Sequence, residues 1–349
     1  MKTSRDARTA SAARSRRRGI ALLLTLLTLT VLSIVVSQMT TSTSVAALRL
    51  RARLAERRCR RALDSVPGIA ARMLTERTEN LRVDTLDDDW AKPKFFDIGG
   101  VRVEITIEDC QRHYDLNGLL AEDLEELETN KRQFVDFAVE CGVSYEVATR
   151  LADTIALEAE ARRLEDTTTQ TVTDDPEEPS STTTTSVPIW LEDFLSLPQL
   201  TDQDRQDVRL ARVTREDPET FATYDVPFLR QITIWRTGHP NVNTASREVL
   251  LHELLNLENP ERVVDEILEK REEEPFSTTA EIRSLEELSS DEARQIIRYV
   301  QLRSAEFRVT ATATLLDQRT ALPMRKPTMV LILKRNQAEF TTLWRSINV

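Results

Sequence analysis

The residues with which this chain could do chemistry are few, and their spacing supports no reaction. Histidines stand only at His113, His239 and His252, none in a metal-ligand spacing such as H-E-x-x-H. No G-x-S-x-G, Walker A or G-x-G-x-x-G motif occurs. A membrane-anchored hydrolase built on acidic pairs would therefore lack any nucleophile–base spacing. His252 lies inside LLHELL, where it reads as a packed or surface side chain. Asp87-Asp88-Asp89, and Asp174-Asp175 with Glu177-Glu178, carry the oxygens that calcium takes, without the alternating D-x-D-x-D-G order of a calcium loop. They read as solvated acidic loops. Of Cys59, Cys110 and Cys141 one must stay unpaired; Cys110 and Cys141 either bridge in an oxidising compartment or remain separate buried thiols. No catalytic residue, cofactor or metal ligand is assigned.

The chemistry legible here is done to the chain, not by it. In RSRRRGIALLLTLLTLTVLSIVVS (14–37) a basic leader stops at Gly19 and a long uncharged apolar run begins at Ile20. A secretory signal peptide would place its apolar run before a small-residue cleavage site; here charge block, glycine and apolar helix meet directly. That order resembles a type IV prepilin leader, which the prepilin peptidase cuts after the glycine while the apolar helix is kept. The resemblance implies cleavage between Gly19 and Ile20 and N-methylation of Ile20. An ordinary N-terminal membrane anchor is the alternative reading of the segment.

Ile20–Val36 spans roughly 25 Å as a helix, close to the thickness of a bilayer core. Thr25, Thr28 and Thr30 are tolerated because a threonine hydroxyl can bond a carbonyl one turn back. Arginines flank both ends, so the positive-inside rule is nearly silent on orientation. The chain has 349 residues and a formal net charge of −11. Residues 1–61 hold fourteen Lys/Arg against Asp6 and Glu56, which leaves the remainder at −23. So acidic a remainder repels phosphate backbones and argues for protein or cation partners over nucleic acid.

The elements follow from periodicity. Ala46, Leu50, Leu54, Ala62 and Leu63 continue the anchor as a helical spine until Pro67-Gly68, which should kink or end it; IAARMLTERTENL is a second helical segment. VRVEITIE (101–108) alternates strictly and reads as a half-buried strand entered through Gly99-Gly100. FRVTATATLL alternates in the same way, followed by TMVLILKR and EFTTLWRSI. The block between reads as helices throughout. Its boundaries are marked by Asn259-Pro260 and by capping-box spacing at Thr278/Glu281 and Ser289/Glu292. Thr/Ser-rich residues 166–187 should be a disordered loop. The expected fold is α+β: a pilin-like spine packed on one antiparallel sheet, interrupted by an inserted all-α domain.

PNVNTASREVLLHELL supplies a cap at Asn243 or Thr244 for a helix whose Val249, Leu250, Leu254 and Leu257 face a core. It resembles the entry to helix-hairpin-helix and SAM-like domains. The DNA-binding version continues into a glycine-rich hairpin; here NLENPERVVDEI has no glycine and places Glu258 and Glu261 where anions would approach. A single-span protein with a helix-hairpin-helix-like DNA-binding domain is the alternative function.

Together RRRGIALLL, VRVEITIED with DLNGLL, the LADTI helix, SVPIWLEDFLSLP, PNVNTASREVLL and SAEFRVTATA resemble, in order, the K-type minor pseudopilins of the type II secretion system. The resemblance implies a non-enzymatic tip subunit of the pseudopilus that initiates or caps its assembly for protein export across the outer membrane. The implied partners are minor pseudopilins I and J, other pseudopilins, the prepilin peptidase and the membrane, with no nucleic acid. It also implies a single-pass protein of the bacterial inner membrane with its ectodomain in the periplasm. The corresponding division is a leader over 1–19, a transmembrane helix over 20–48 and a spine with first strands over 49–116. An inserted α-domain over 117–304 and completing strands over 305–349 follow. Leu24 becomes the fifth mature residue, where most pilins carry a glutamate that neutralises the terminal amine of the subunit ahead. A leading subunit has no such neighbour, so an apolar residue is cheaper there. Family members can bind calcium in the α-domain; here Ile155 runs into ALEAEARRL instead of the family's tryptophan–arginine–aspartate stretch, and no calcium ligands are carried over.

Overall fold

A computed structural model describes residues 3–75, 83–170, 195, 198–216, 223–285, 288–316, 323–337 and 339–348. Helix α1 (Thr3–Asp64) runs without interruption through the apolar segment and the arginine-rich stretch after it. The break falls at Ser65, and Pro67 lies in the first turn of α2 (Val66–Thr75), where its missing N–H costs nothing. The expected interruption is therefore real but sits two residues earlier, with proline opening a helix. The later part of IAARMLTERTENL, residues 76–82, lies outside the described residues.

The helices pack on one sheet. Its six strands run β1 (Lys94–Ile98), β2 (Val101–Asp109), β7 (Glu306–Leu316), β9 (Thr328–Asn336) and β10 (Glu339–Asn348), with β8 (Pro323–Arg325) pairing β7. All these pairings are antiparallel, as the alternating segments predict. Gly99 and Gly100, at φ 60° and 78°, make the two-residue turn from β1 into β2. β2 and β7 pair directly: Val103 lies opposite Ala313, Ile105 opposite Ala311, and Ile107 opposite Val309. The core-facing side chains of β2 and β7 are buried against Cys59, Ala62 and Leu63 of α1 and Val66, Ala70 and Leu74 of α2. Ala311 and Ala313, small in the middle of β7, let α1 approach closely.

Between β2 and β7 the chain builds a second lobe with its own core. Its helices include α3 (Leu124–Glu140), α4 (Tyr145–Gln170), α5 (Asp202–Leu210), α6 (Arg247–Glu253), α7 (Pro260–Glu273), α8 (Thr279–Ile282) and α9 (Ser290–Tyr299). It is not helical throughout: β3 (Tyr114–Asp115) pairs parallel with β6 (Ile232–Thr233), and β4 (Arg212–Glu216) forms an antiparallel ladder with β5 (Thr223–Pro227). These strands are two to five residues long, too short to register as an alternation. Asn259 precedes Pro260 at the start of α7, and Ser289 with Glu292 forms a complete capping box on α9. Thr278 instead begins only the single turn of α8, without capping it through its side chain. A second capping box, Thr201 with Asp204, starts α5. Helix α4 runs through residues 166–170, the start of the segment expected to be disordered; residues 171–187 lie outside the described set.

Phe307 fastens the sheet lobe. It is fully buried, meets Trp90 edge-on at 5.4 Å and Phe340 at 6.2 Å, and lies beneath the Arg335 guanidinium at 4.9 Å. Phe307→Ala should cost about 3–5 kcal/mol through lost burial and an uncollapsed cavity. Urea unfolding of the detergent-solubilised chain, followed by tryptophan fluorescence, should show this loss, with Phe307→Leu retaining most of the stability.

Candidate assembly surface and the joint beneath it

Two features stand out: an exposed apolar surface and a buried polar joint. The first is the bare stretch of α1. Among the described residues this is the one helix long and apolar enough to cross a membrane, and none of its apolar window is buried in the fold. Leu29 and Met39 are 68% and 64% exposed. Several threonines within it satisfy themselves: Thr28 and Thr30 donate to the carbonyls of Thr25 and Leu27 at 2.8 Å, and Thr40 donates to that of Val36 at 2.7 Å. A hydroxyl bonded this way needs no water, so the stretch suits hydrocarbon. Burial begins at Ala55 and continues through Cys59, Ala62 and Leu63, whereas Leu50 and Leu54 on the same helix face outward. Gly19, Ile20 and Leu24 are backbone positions within α1.

The second feature is the joint that fixes the helical lobe on the sheet. It lies where the chain leaves β2 at Asp109 and re-enters β7 at Glu306. Asp109 Oδ2 accepts from Thr244 Oγ1 and Ser304 Oγ, both at 2.5 Å, and its Oδ1 accepts from the Gln111 amide at 2.8 Å. Gln111 Nε2 donates to Glu306 Oε2 at 2.8 Å, while its Oε1 accepts from the amides of Ala305 and Glu306. Glu306 also accepts from Thr237 Oγ1 at 2.5 Å and pairs with Lys334 at 3.2 Å. Asn241 Nδ2 donates to Ser304 Oγ at 2.8 Å and to the Asp84 carbonyl at 3.1 Å. Asp84 receives both guanidinium nitrogens of Arg335, at 2.6 and 2.8 Å. These groups are nearly all buried, so the bonds act in a low dielectric and fix direction as well as distance.

The NVNTA segment turns out to belong to this joint. Asn241 and Thr244 reach across it, while Asn243 closes a two-way bond with Phe276, accepting from its amide and donating to its carbonyl, both at 2.9 Å. The residue that caps α6 is Ser246, whose hydroxyl accepts from the Val249 amide, in place of Asn243 or Thr244. Val249, Leu250, Leu254 and Leu257 do enter the core.

The other candidate groups do not converge. Cys110 and Cys141 are separate buried thiols; burial pushes both up, Cys141 to about 12, and Cys141 accepts from Gln231. His113 is buried and driven well below the usual histidine range, first by burial and then by Arg112. His252 is lowered by burial, and its Nε2 lies 3.3 Å from Glu140. His239 stands 3.1 Å from Glu253. Asp88 accepts from the Thr85 amide and the Trp90 indole, a local structural role. Asp174, Asp175, Glu177 and Glu178 lie outside the described residues. No group of three metal-binding side chains occurs among the described residues.

Asp84, Gln111, Asn241, Ser304 and Arg335 had no place in the sequence reading. One signal was available for two joint residues. Asp109 extends the buried series Val101, Val103, Ile105, Ile107, and Arg335 extends Met329, Leu331, Leu333. A charge in the core-facing phase of a strand must find partners inside.

A bare apolar helix, packed at its base on an antiparallel sheet that carries a helical lobe, is a pilin-like, membrane-anchored architecture. Among solved structures it is similar to a chain of the crystal structure of the GspK–GspI–GspJ complex from the enterotoxigenic Escherichia coli type 2 secretion system. The TM-score is 0.50 and the identity 13%, over 86% of this chain and 99% of that one. The likeness is one of fold. No family model matches the chain, and no curated protein matches it in sequence.

Burial raises the Asp109 carboxyl to about 6, against the opposing hydrogen bonds from Ser304, Thr244 and Gln111. Because the folded value lies above the unfolded one, the folded state binds the proton more tightly. The stabilising contribution is complete below about pH 4 and lost as pH rises through about 6. Relative to Asp109→Asn, which has no proton to lose, the parent chain should therefore lose about 2 kcal/mol between pH 4 and 7. Denaturant unfolding of the two proteins across that range checks the slope.

Proposed function

We propose that this chain is a K-type minor pseudopilin of type II protein secretion. The observation that carries the reading is the fold: a helical lobe inserted between adjacent strands of a pilin-like sheet, on a bare apolar helix, shared with a chain of a pseudopilin complex. In this role the prepilin peptidase removes residues 1–19, Ile20 becomes the N-methylated terminus, and residues 20–48 anchor the subunit once in the inner membrane. Residues 49–116 and 305–349 form the periplasmic pilin-like body, and 117–304 the inserted lobe, for which we propose a SAM-like origin. The protein works by assembly, without enzymatic activity or a resident cofactor, and no calcium site is assigned.

Position in the filament follows from two physical points. Leu24 leaves no carboxylate to meet the terminal amine of a subunit ahead, so the chain fits the leading place. A helical lobe as large as this one cannot repeat along a thin filament without clashes. The subunit therefore initiates and caps the tip with minor pseudopilins I and J, its apolar helix and the outward Leu50 and Leu54 packing against theirs.

Processing is tested by intact mass, which should place the mature terminus at Ile20. Gly19→Val should leave full-length precursor in the membrane, because a branched side chain crowds the protease at the scissile bond; a mature start beyond Val36 overturns the reading. Assembly is tested by photo-crosslinkers near Leu24 and Leu54, which should trap minor pseudopilins I and J. Abundant ladders of this chain with itself would instead identify a repeating shaft subunit.

A further inference from the structure

The uncharged part of α1 is longer than its apolar part. From Gly19 to Leu48 no charged residue occurs, and at 1.5 Å per residue this stretch measures roughly 45 Å. A bilayer core is only about 30 Å thick, but core and headgroup layers together measure about 40–45 Å. Centring the uncharged stretch in a membrane thus brings Arg49 to the outer limit of the headgroups on the side of the sheet. Arg49, Arg51 and Arg53 are exposed there, and none has an acidic partner among the described residues. The next carboxylate along the helix, Glu56, pairs with Arg60 at 3.1 Å.

From these observations we propose that Arg49, Arg51 and Arg53 form a collar that binds the phosphates of anionic phospholipids and sets the depth of the anchor in the bilayer. The collar rests on the reading of α1 as a membrane span. Helical geometry favours lipid over a protein partner: at about 100° per residue, Arg49 and Arg53 share one side of the helix and Arg51 takes the opposite one. A docked helix meets one stripe, here that of Leu50 and Leu54, and the arginines fall on both sides of it, where headgroups reach them. Arginine suits the role because its planar guanidinium grips phosphate oxygens in pairs. Arg57, Arg58 and Arg61 begin roughly 12 Å beyond Arg49, and so lie more than a Debye length of about 10 Å from the headgroup plane set by that residue, outside the collar.

Native mass spectrometry of the full chain from mixed phosphatidylglycerol–phosphatidylcholine micelles tests the proposal. The parent protein should retain phosphatidylglycerol preferentially. Replacing Arg49, Arg51 and Arg53 together by Gln should abolish that preference, falling roughly fivefold for each arginine removed. Replacing Arg57, Arg58 and Arg61 by Gln should leave it in place, and unchanged melting of both variants shows that they fold. Equal retention of the two lipids by the parent overturns the collar. So does a preference that survives the first substitution set, or one that the second abolishes equally. Extraction of the full chain from membranes by alkali is a separate outcome: it would overturn the membrane span itself.

Discussion

Strand β2 must lie beside β7, and nearly everything else in the body follows from that pairing. The two are separated by roughly 200 residues of chain, so closing the loop between them costs about 5 kcal/mol in entropy if the intervening chain is flexible. The helical lobe removes most of that flexibility. Its core gathers segments from both ends of the insertion, and the β3–β6 pairing ties Tyr114, just after β2, to Ile232. Once the lobe is folded, its two exits lie close together and the sheet closes over a short gap. The lobe is thus what makes so distant a strand pair affordable.

The contact between lobe and sheet is polar where each interior is apolar. Two hydrophobic cores meet at Asp109, Gln111, Asn241, Ser304, Glu306 and the Asp84–Arg335 pair. An apolar contact would hold the two bodies together at many angles. Hydrogen bonds with defined donors and acceptors hold them at one, and an unpaired partner left inside would be costly. Those bonds therefore fix the direction of the lobe relative to the sheet and helix α1.

This division explains how much of the molecule could be read from residues alone. The apolar run of α1 and the alternations of β2, β7 and β9 are periodic, and periodicity survives without coordinates. Strand β1 was missed because KFFDI places two phenylalanines side by side, with Phe95 turned outward. The internal hairpin strands are too short to show a period. Asn241 and Thr244 carry no hint that their partners are Asp84, Ser304 and Asp109, because a bond across 63 to 157 positions leaves no local trace. The positions on which the proposed processing and filament place rest, Gly19, Ile20 and Leu24, are the reverse case: they are drawn from residue order alone, and the fold adds only that α1 passes through them unbroken.

That unbroken course has a mechanical side. From Thr25 to Asp64 the helix holds its hydrogen-bond ladder for roughly 60 Å, with no glycine or proline along the way to act as a hinge. Its last turns are gripped by β2 and β7 through Cys59, Ala62 and Leu63, and the first compliant point, Ser65, lies inside the body. A torque or pull applied to the sheet therefore travels to the far end of the apolar segment with little loss. With the apolar segment in a bilayer, as proposed, lifting the folded part by one helical turn would draw the same 5.4 Å of apolar surface out of the hydrocarbon.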